Sequence, residues 1–163
     1  MFTPALLSRA EALLETCRVR GIRVVSAESC TGGLVTGLLT EIPGSSDVVD
    51  RGFVTYTNEA KSDCLGVPAA LIAKLGAVSR QVAAAMAQGA LVRSRADIAV
   101  AVTGVAGPGG GTDTKPVGLV YIAARDRTGV MAAREFHFDS MSRREIRLAS
   151  VNAALDLIEE VMK

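Results

Sequence analysis

Ile22-Arg23-Val24-Val25-Ser26-Ala27-Glu28-Ser29-Cys30-Thr31-Gly32-Gly33 carries an apolar run into a polar, glycine-bearing turn, and a helical pattern follows. The run Ile22–Ala27 predicts a strand, and Cys30 to Glu41 a helix that Pro43-Gly44 ends. A helix precedes them. Thr3 with Pro4 forms an N-cap and N1 pair, and Leu6, Leu7, Ala10, Leu13, Leu14 and Cys17 make a helical stripe that stops before Gly21. The first unit therefore reads α-β-α. A turn at such a junction aims hydroxyls and backbone N–H groups at one point, where the helix dipole favours negative charge. It suits a nucleophile or an anion, although a plain helix cap would use some of the same residues.

Working outward, Gly52 to Thr57 is aromatic and β-branched enough for a second strand, and Asn58 opens a helical turn running to Leu65. Pro68 restarts a short helix, and Ser79 caps a long alanine-rich one over 80–94. Asp97 to Thr103 is an almost unbroken Ile/Ala/Val run, the signature of a strand buried on both faces. Residues 104–116 form the one long irregular segment. Val117–Ala124 and Val130–Phe138 then read as a late antiparallel pair, and Ser142 starts the final helix. The expectation is one α/β domain over residues 1–163, a three-layer sandwich with a mixed, mostly parallel sheet flanked by helices.

Composition narrows the functional classes. At 163 residues, 49% apolar and 21% charged, the chain can bury a core without staples. A net charge of +1 speaks against binding nucleic acid through bulk electrostatics, and 4% aromatics with no Trp speak against a base-stacking platform. Cys17, Cys30 and Cys64 are odd in number and lack C-x-x-C spacing, so neither a disulfide framework nor a zinc knuckle is indicated. No apolar stretch approaches a membrane span, and Met1-Phe2-Thr3-Pro4 shows no leader. A cytoplasmic protein without metal or organic cofactor is expected.

Three places could do chemistry. The glycine run Gly104-Val105-Ala106-Gly107-Pro108-Gly109-Gly110-Gly111 follows the most buried strand, where backbone N–H groups could approach a ligand closely; the alternative is a plain connector. In Tyr56-Thr57-Asn58-Glu59-Ala60-Lys61 a strand end meets a helix start, so Tyr56 and Lys61 can face one cavity. A lysine in a dry site loses its charge more easily and can act as a base. Cys30 beside Ser29 competes as a thiolate nucleophile at a helix N-terminus, against a small buried residue. His137, the only histidine, alternates with Glu135 on a solvent-side face and makes a poor triad member. Arg143, Arg144 and Arg147 could hold a phosphate or form a solvated face.

The blocks AESCTGG at 27–33, PGSS at 43–46, GFVTYTNEAK at 52–61, GAVS at 76–79 and TGVAGPGGG with KPVG at 103–118 occur in that order. Together they resemble the C-terminal domain of the competence/damage-inducible protein CinA, whose stand-alone form is a nicotinamide-nucleotide amidohydrolase. The resemblance implies deamidation of nicotinamide mononucleotide, with Ser29, Tyr56 and Lys61 at the positions that look catalytic. It further suggests Thr31, Gly32, Gly33, Ser46, Asn58, Thr103, Gly104, Ala106, Gly107 and Arg143 as substrate contacts. Which of Tyr56 and Lys61 is the immediate base stays open, as do the phosphate ligands. A homodimer or higher homo-oligomer is expected. The rival readings are a regulatory interaction module and a nucleotide-binding module without turnover.

Overall fold

A computed structural model describes residues 2–163. The leading helix α1 (Pro4–Arg20) begins as expected, with the Thr3 hydroxyl accepting from the Leu6 N–H. Strand β1 (Val24–Glu28) leads through a turn into α2 (Leu34–Thr40), and a single 3-10 turn, Ser45–Asp47, precedes β2 (Val49–Val54). Helices α3 (Asn58–Leu65), α4 (Ala69–Leu75) and α5 (Arg80–Val92) follow. Strands β3 (Ile98–Gly104), β4 (Leu119–Asp126) and β5 (Met131–His137) lead to α6 (Arg143–Val161), which opens on a capping box of Ser142 and Glu145.

The five strands form one sheet in the order β2-β1-β3-β4-β5. The sheet is mixed, as expected, but the parallel share is half rather than most. β1 runs parallel to β2 and β3, whereas β3–β4 and β4–β5 are antiparallel. Element boundaries also differ from the sequence reading, most at α2 and β2. α2 starts at Leu34 rather than Cys30, because residues 30–33 are spent on the turn itself. β2 starts at Val49 rather than Gly52, since a half-exposed edge strand accommodates the polar pair Asp50-Arg51 that hides it in the sequence. It ends at Val54, because Thr57 caps α3 by accepting from the Ala60 N–H.

Alternation along β3 builds the three layers. Ile98, Val100 and Val102 join the core beneath α1, α2 and α6, while Ala99 and Ala101 join the core beneath α3, α4 and α5. Small side chains on that second face match the alanines of α5. Gly89 continues this economy: a Cβ there would lie 2.0 Å from the Leu65 carbonyl oxygen, so α5 and the end of α3 can meet this closely only with glycine at 89. Each buried leucine or isoleucine removed to alanine in such a core costs about 2–5 kcal/mol.

The topology also fixes where a ligand can sit. From β1 the chain crosses to β2 through α2 on one face, and from β2 to β3 through α3–α5 on the other. β1 and β3 are neighbours whose following connections leave to different sides, and a crevice opens at the carboxyl ends of such strands. Ser29 follows β1, Thr55 follows β2, and Gly104 ends β3 at that same edge.

Candidate active site

A cavity of about 290 Å³ lies at this edge, lined by Ser29, Cys30, Tyr56, Asn58, Lys61, Ala77, Val78, residues Thr103 to Gly107, Gly109, Gly110 and Arg143. A larger hollow of about 410 Å³ sits beside it between α3 and α4 and shares Asn58, but it contains neither Ser29 nor Lys61. Ser29 and Lys61 both line the smaller one.

Ser29 is held by its own backbone. Its N–H donates to the Val102 carbonyl of β3 and its carbonyl accepts from the Gly32 N–H, which closes the turn. The side chain is 8% exposed, and its Oγ lies 3.1 Å from Lys61 Nζ. Lys61 comes from the first turn of α3 and is only 1% exposed. Its amine also reaches the carbonyl oxygens of Thr55 at 3.0 Å, Tyr56 at 3.2 Å and Thr57 at 3.3 Å. Burial holds the Lys61 amine below its ordinary 10.5, against the weaker opposing influence of Cys30 and Glu59. The carbonyl cage has the opposite effect. Carbonyls only accept, so the cage favours the ammonium: it opposes the effect of burial and stabilises the charge once a proton arrives.

The Tyr56 side chain is 58% exposed, and its hydroxyl accepts from the Arg143 guanidinium at 3.2 Å rather than standing between Ser29 and Lys61. Lys61, not Tyr56, is the ionisable side chain in hydrogen-bond contact with Ser29 Oγ, at 3.1 Å. Arg143, on the first turn of α6, also donates to the Gly107 carbonyl at 2.6 Å, so it ties the β2–α3 junction to the glycine loop across the cavity mouth. Thr103 is positioned by donating its hydroxyl to the Ala77 carbonyl at 2.9 Å. Asn58, Gly104 and Ala106, which the resemblance offers as substrate contacts, line the cavity. The N–H groups of Ala106 and Gly107 have no protein acceptor among the described residues.

Other expected contacts fall elsewhere. Thr31, Gly32, Gly33 and Ser46 do not line the cavity. Gly33 donates its N–H to Glu28 Oε2 at 3.0 Å and Gly32 donates to Ser29, so the glycine N–H groups expected to cradle substrate are bound to the chain itself. Thr31 is fully buried and its carbonyl accepts from Arg147 at 2.7 Å. Ser46 sits on the exposed 3-10 turn before β2. Cys30 lines the cavity, but burial pushes its thiol up to about 12, with the Glu28 charge adding to the rise, which disfavours a thiolate there. His137 is exposed, pairs with Glu135 at 2.7 Å and lies outside the cavity lining. Among the described residues no three His, Cys, Asp or Glu side chains converge as a metal site would require.

The sequence reading gave no role to Glu28, Ala77 or Val78. Glu28 carried a signal, an acidic residue closing a mostly apolar strand, where a carboxylate is buried only with partners. Ala77 and Val78 carried none of their own, since they enter through backbone and position.

A known family model, the CinA C-terminal domain, matches residues 7–162, nearly the whole chain. The chain belongs to the CinA C-terminal domain family. A competence/damage inducible protein from Agrobacterium tumefaciens, named CihA, superposes with a TM-score of 0.98 at 52% identity, covering 100% of this chain and 99% of that one. A CinA superfamily protein from Escherichia coli gives 0.90 at 31% identity, over 99% and 94%. A CinA-like protein of Geobacter sulfurreducens is 48% identical over 145 residues, 89% of this chain but 35% of its own length. The chain spans about a third of the length of the curated relatives it matches.

Proposed function

We propose that this protein hydrolyses the carboxamide of nicotinamide mononucleotide to nicotinate mononucleotide and ammonia, with Ser29 as nucleophile and Lys61 as its base. The observation that carries this reading is the 3.1 Å contact between Ser29 Oγ and a lysine amine that is almost wholly buried. A serine hydroxyl is a weak nucleophile until a neighbouring base takes its proton, and a lysine serves when burial lowers its hold on the proton.

In this scheme neutral Lys61 takes the Ser29 proton as Oγ bonds to the carboxamide carbon. The carbonyl π electrons move onto oxygen, where the N–H groups of Ala106 and Gly107 are free to donate. The new ammonium, held by the Thr55, Tyr56 and Thr57 carbonyls, gives its proton to the amide nitrogen, and the C–N bond breaks to release ammonia. Water, deprotonated by Lys61, then attacks the ester carbon, the C–Oγ bond breaks, and the Lys61 ammonium returns the proton to Ser29 Oγ. Tyr56 and Arg143 act as substrate contacts at the mouth, together with Asn58 and Thr103. No step needs a metal or an organic cofactor. The same reading includes a cytoplasmic setting and a homo-oligomer.

Ammonia release from nicotinamide mononucleotide by purified variants tests it. Ser29→Ala and Lys61→Ala are each expected to lower kcat by at least about a thousandfold while Cys30→Ala stays near wild type. Retained ligand binding without turnover in the wild type would favour a non-catalytic nucleotide-binding module, and near-normal turnover in Ser29→Ala would contradict the serine mechanism.

A further inference from the structure

Glu28, the residue just before the nucleophile, is fully buried, and no cation pairs with it among the described residues. An unpaired carboxylate away from water is costly unless donors surround it. They do. Oε2 accepts from the N–H groups of Gly33 and Val35, both at 3.0 Å. Oε1 accepts from the Thr36 N–H at 2.9 Å, the Thr36 hydroxyl at 3.0 Å and the Ser26 hydroxyl at 3.0 Å. The Glu28 backbone is fixed as well, because its carbonyl accepts from the Thr55 N–H at 2.8 Å.

The carboxylate thus fills the N-terminal end of α2, where the sequence alone suggested a substrate anion. Three of the donors are backbone N–H groups, which can only donate, so both oxygens must accept. Between Glu28 and Gly33 the chain makes one tight turn, and Ser29 is its first residue. The carboxylate pins the far end of that turn to the residue on which the near end begins. Meanwhile the Glu28 carbonyl holds Thr55, whose own carbonyl holds Lys61 Nζ. One residue therefore fixes both partners of the Ser29–Lys61 contact.

We propose that Glu28 is a positioning residue for the reaction, its carboxylate locking the 29–33 turn so that Ser29 Oγ stays aligned on Lys61. The proposal rests on Ser29 being the nucleophile. Misplacing a reacting group by about 1 Å costs on the order of a hundredfold in rate. Glu28→Gln keeps the size but turns one accepting oxygen into a donor, so at least one of the three N–H groups loses its acceptor whichever way the amide is turned.

The test compares wild type, Glu28→Gln, Thr36→Val and Ser29→Ala in two measurements: steady-state deamidation of nicotinamide mononucleotide, and the rate at which phenylmethylsulfonyl fluoride labels Ser29, read by peptide mass spectrometry. Circular dichroism melts confirm folding. For folded Glu28→Gln, kcat should fall about a hundredfold with KM within about threefold, and labelling should slow in parallel. A merely structural carboxylate would lower the melting temperature and leave both rates of the folded protein unchanged, which would overturn the proposal. If Glu28→Gln does not fold, Thr36→Val decides. It removes one hydroxyl donor and keeps the shape, and it should slow both rates about three- to tenfold, whereas wild-type rates would overturn the proposal. Wild type that labels at Ser29 but releases no ammonia would sink the deamidase reading while the labelling comparison still judges Glu28. Wild type that neither labels nor turns over would overturn both.

Discussion

Lys61 is where sequence and environment diverge most. A lysine on the first turn of a short helix is ordinarily a solvated charge, but here the helix start is folded under the edge of the sheet and the amine is enclosed by backbone carbonyls. Its lowered hold on the proton has two consequences with a defined sign. Activity that needs the neutral amine should rise with pH along a limb lying below 10.5 and then level off; kcat/KM against pH measures it, and a profile flat through that range would contradict a lysine base. Stability should move the same way. Between the lowered folded value and 10.5 the unfolded chain binds more protons than the native one, so stability against urea rises with pH there relative to Lys61→Met, and the advantage is lost as pH falls through the folded value. The residue types of this contact were legible in the sequence, Ser29 from its turn and Lys61 from its strand–helix bend. The choice between Lys61 and Tyr56 was not, because it depends on which side chain the bend turns inward.

At the scale of elements, the glycine loop between β3 and β4 acts as a wall. Its chain returns to the sheet through Gly118, whose N–H donates to Val105, and Lys115 reaches across to the Leu75 carbonyl at the end of α4. Gly107 adopts a φ of 72°, and a Cβ there would lie 2.5 Å from Val117 Cγ1. Its carbonyl is also the acceptor for Arg143. Gly107→Val should therefore strain the backbone by about 1–3 kcal/mol and disturb the mouth of the cavity. The expected result is a melting temperature lowered by a few degrees and a kcat/KM lowered at least about tenfold; unchanged kinetic constants would show the loop to be only a connector. Most element identities were readable from cap residues and hydrophobic period, as with Thr3, Ser79 and Ser142. The turn after β1 misled, because residues 30–33 look like a helix start that would present free N–H groups. Glu28 takes those donors through contacts five to eight residues away, which no local pattern reports.

Across the whole molecule, two apolar cores on either side of one sheet hold three parallel strand ends in register, and the cavity sits where those ends meet. No helix among the described residues is long and apolar enough to cross a membrane. The late antiparallel pair β4–β5 extends the sheet away from β1 and β2 and gives α5 and α6 a surface to cover. Nearly all of the chain matches the family model, so the same scaffold serves within relatives about three times as long. Turnover separates an amide hydrolase from a binding module on this scaffold, and a covalent bond to Ser29 marks the proposed serine mechanism. The most direct measurement is peptide mass spectrometry of the protein quenched in acid while it turns over nicotinamide mononucleotide. A nicotinate mononucleotide ester on the Ser29 peptide, absent in Ser29→Ala, is the expected result. Steady ammonia release with no adduct on Ser29, or an adduct on Cys30 instead, would contradict the account.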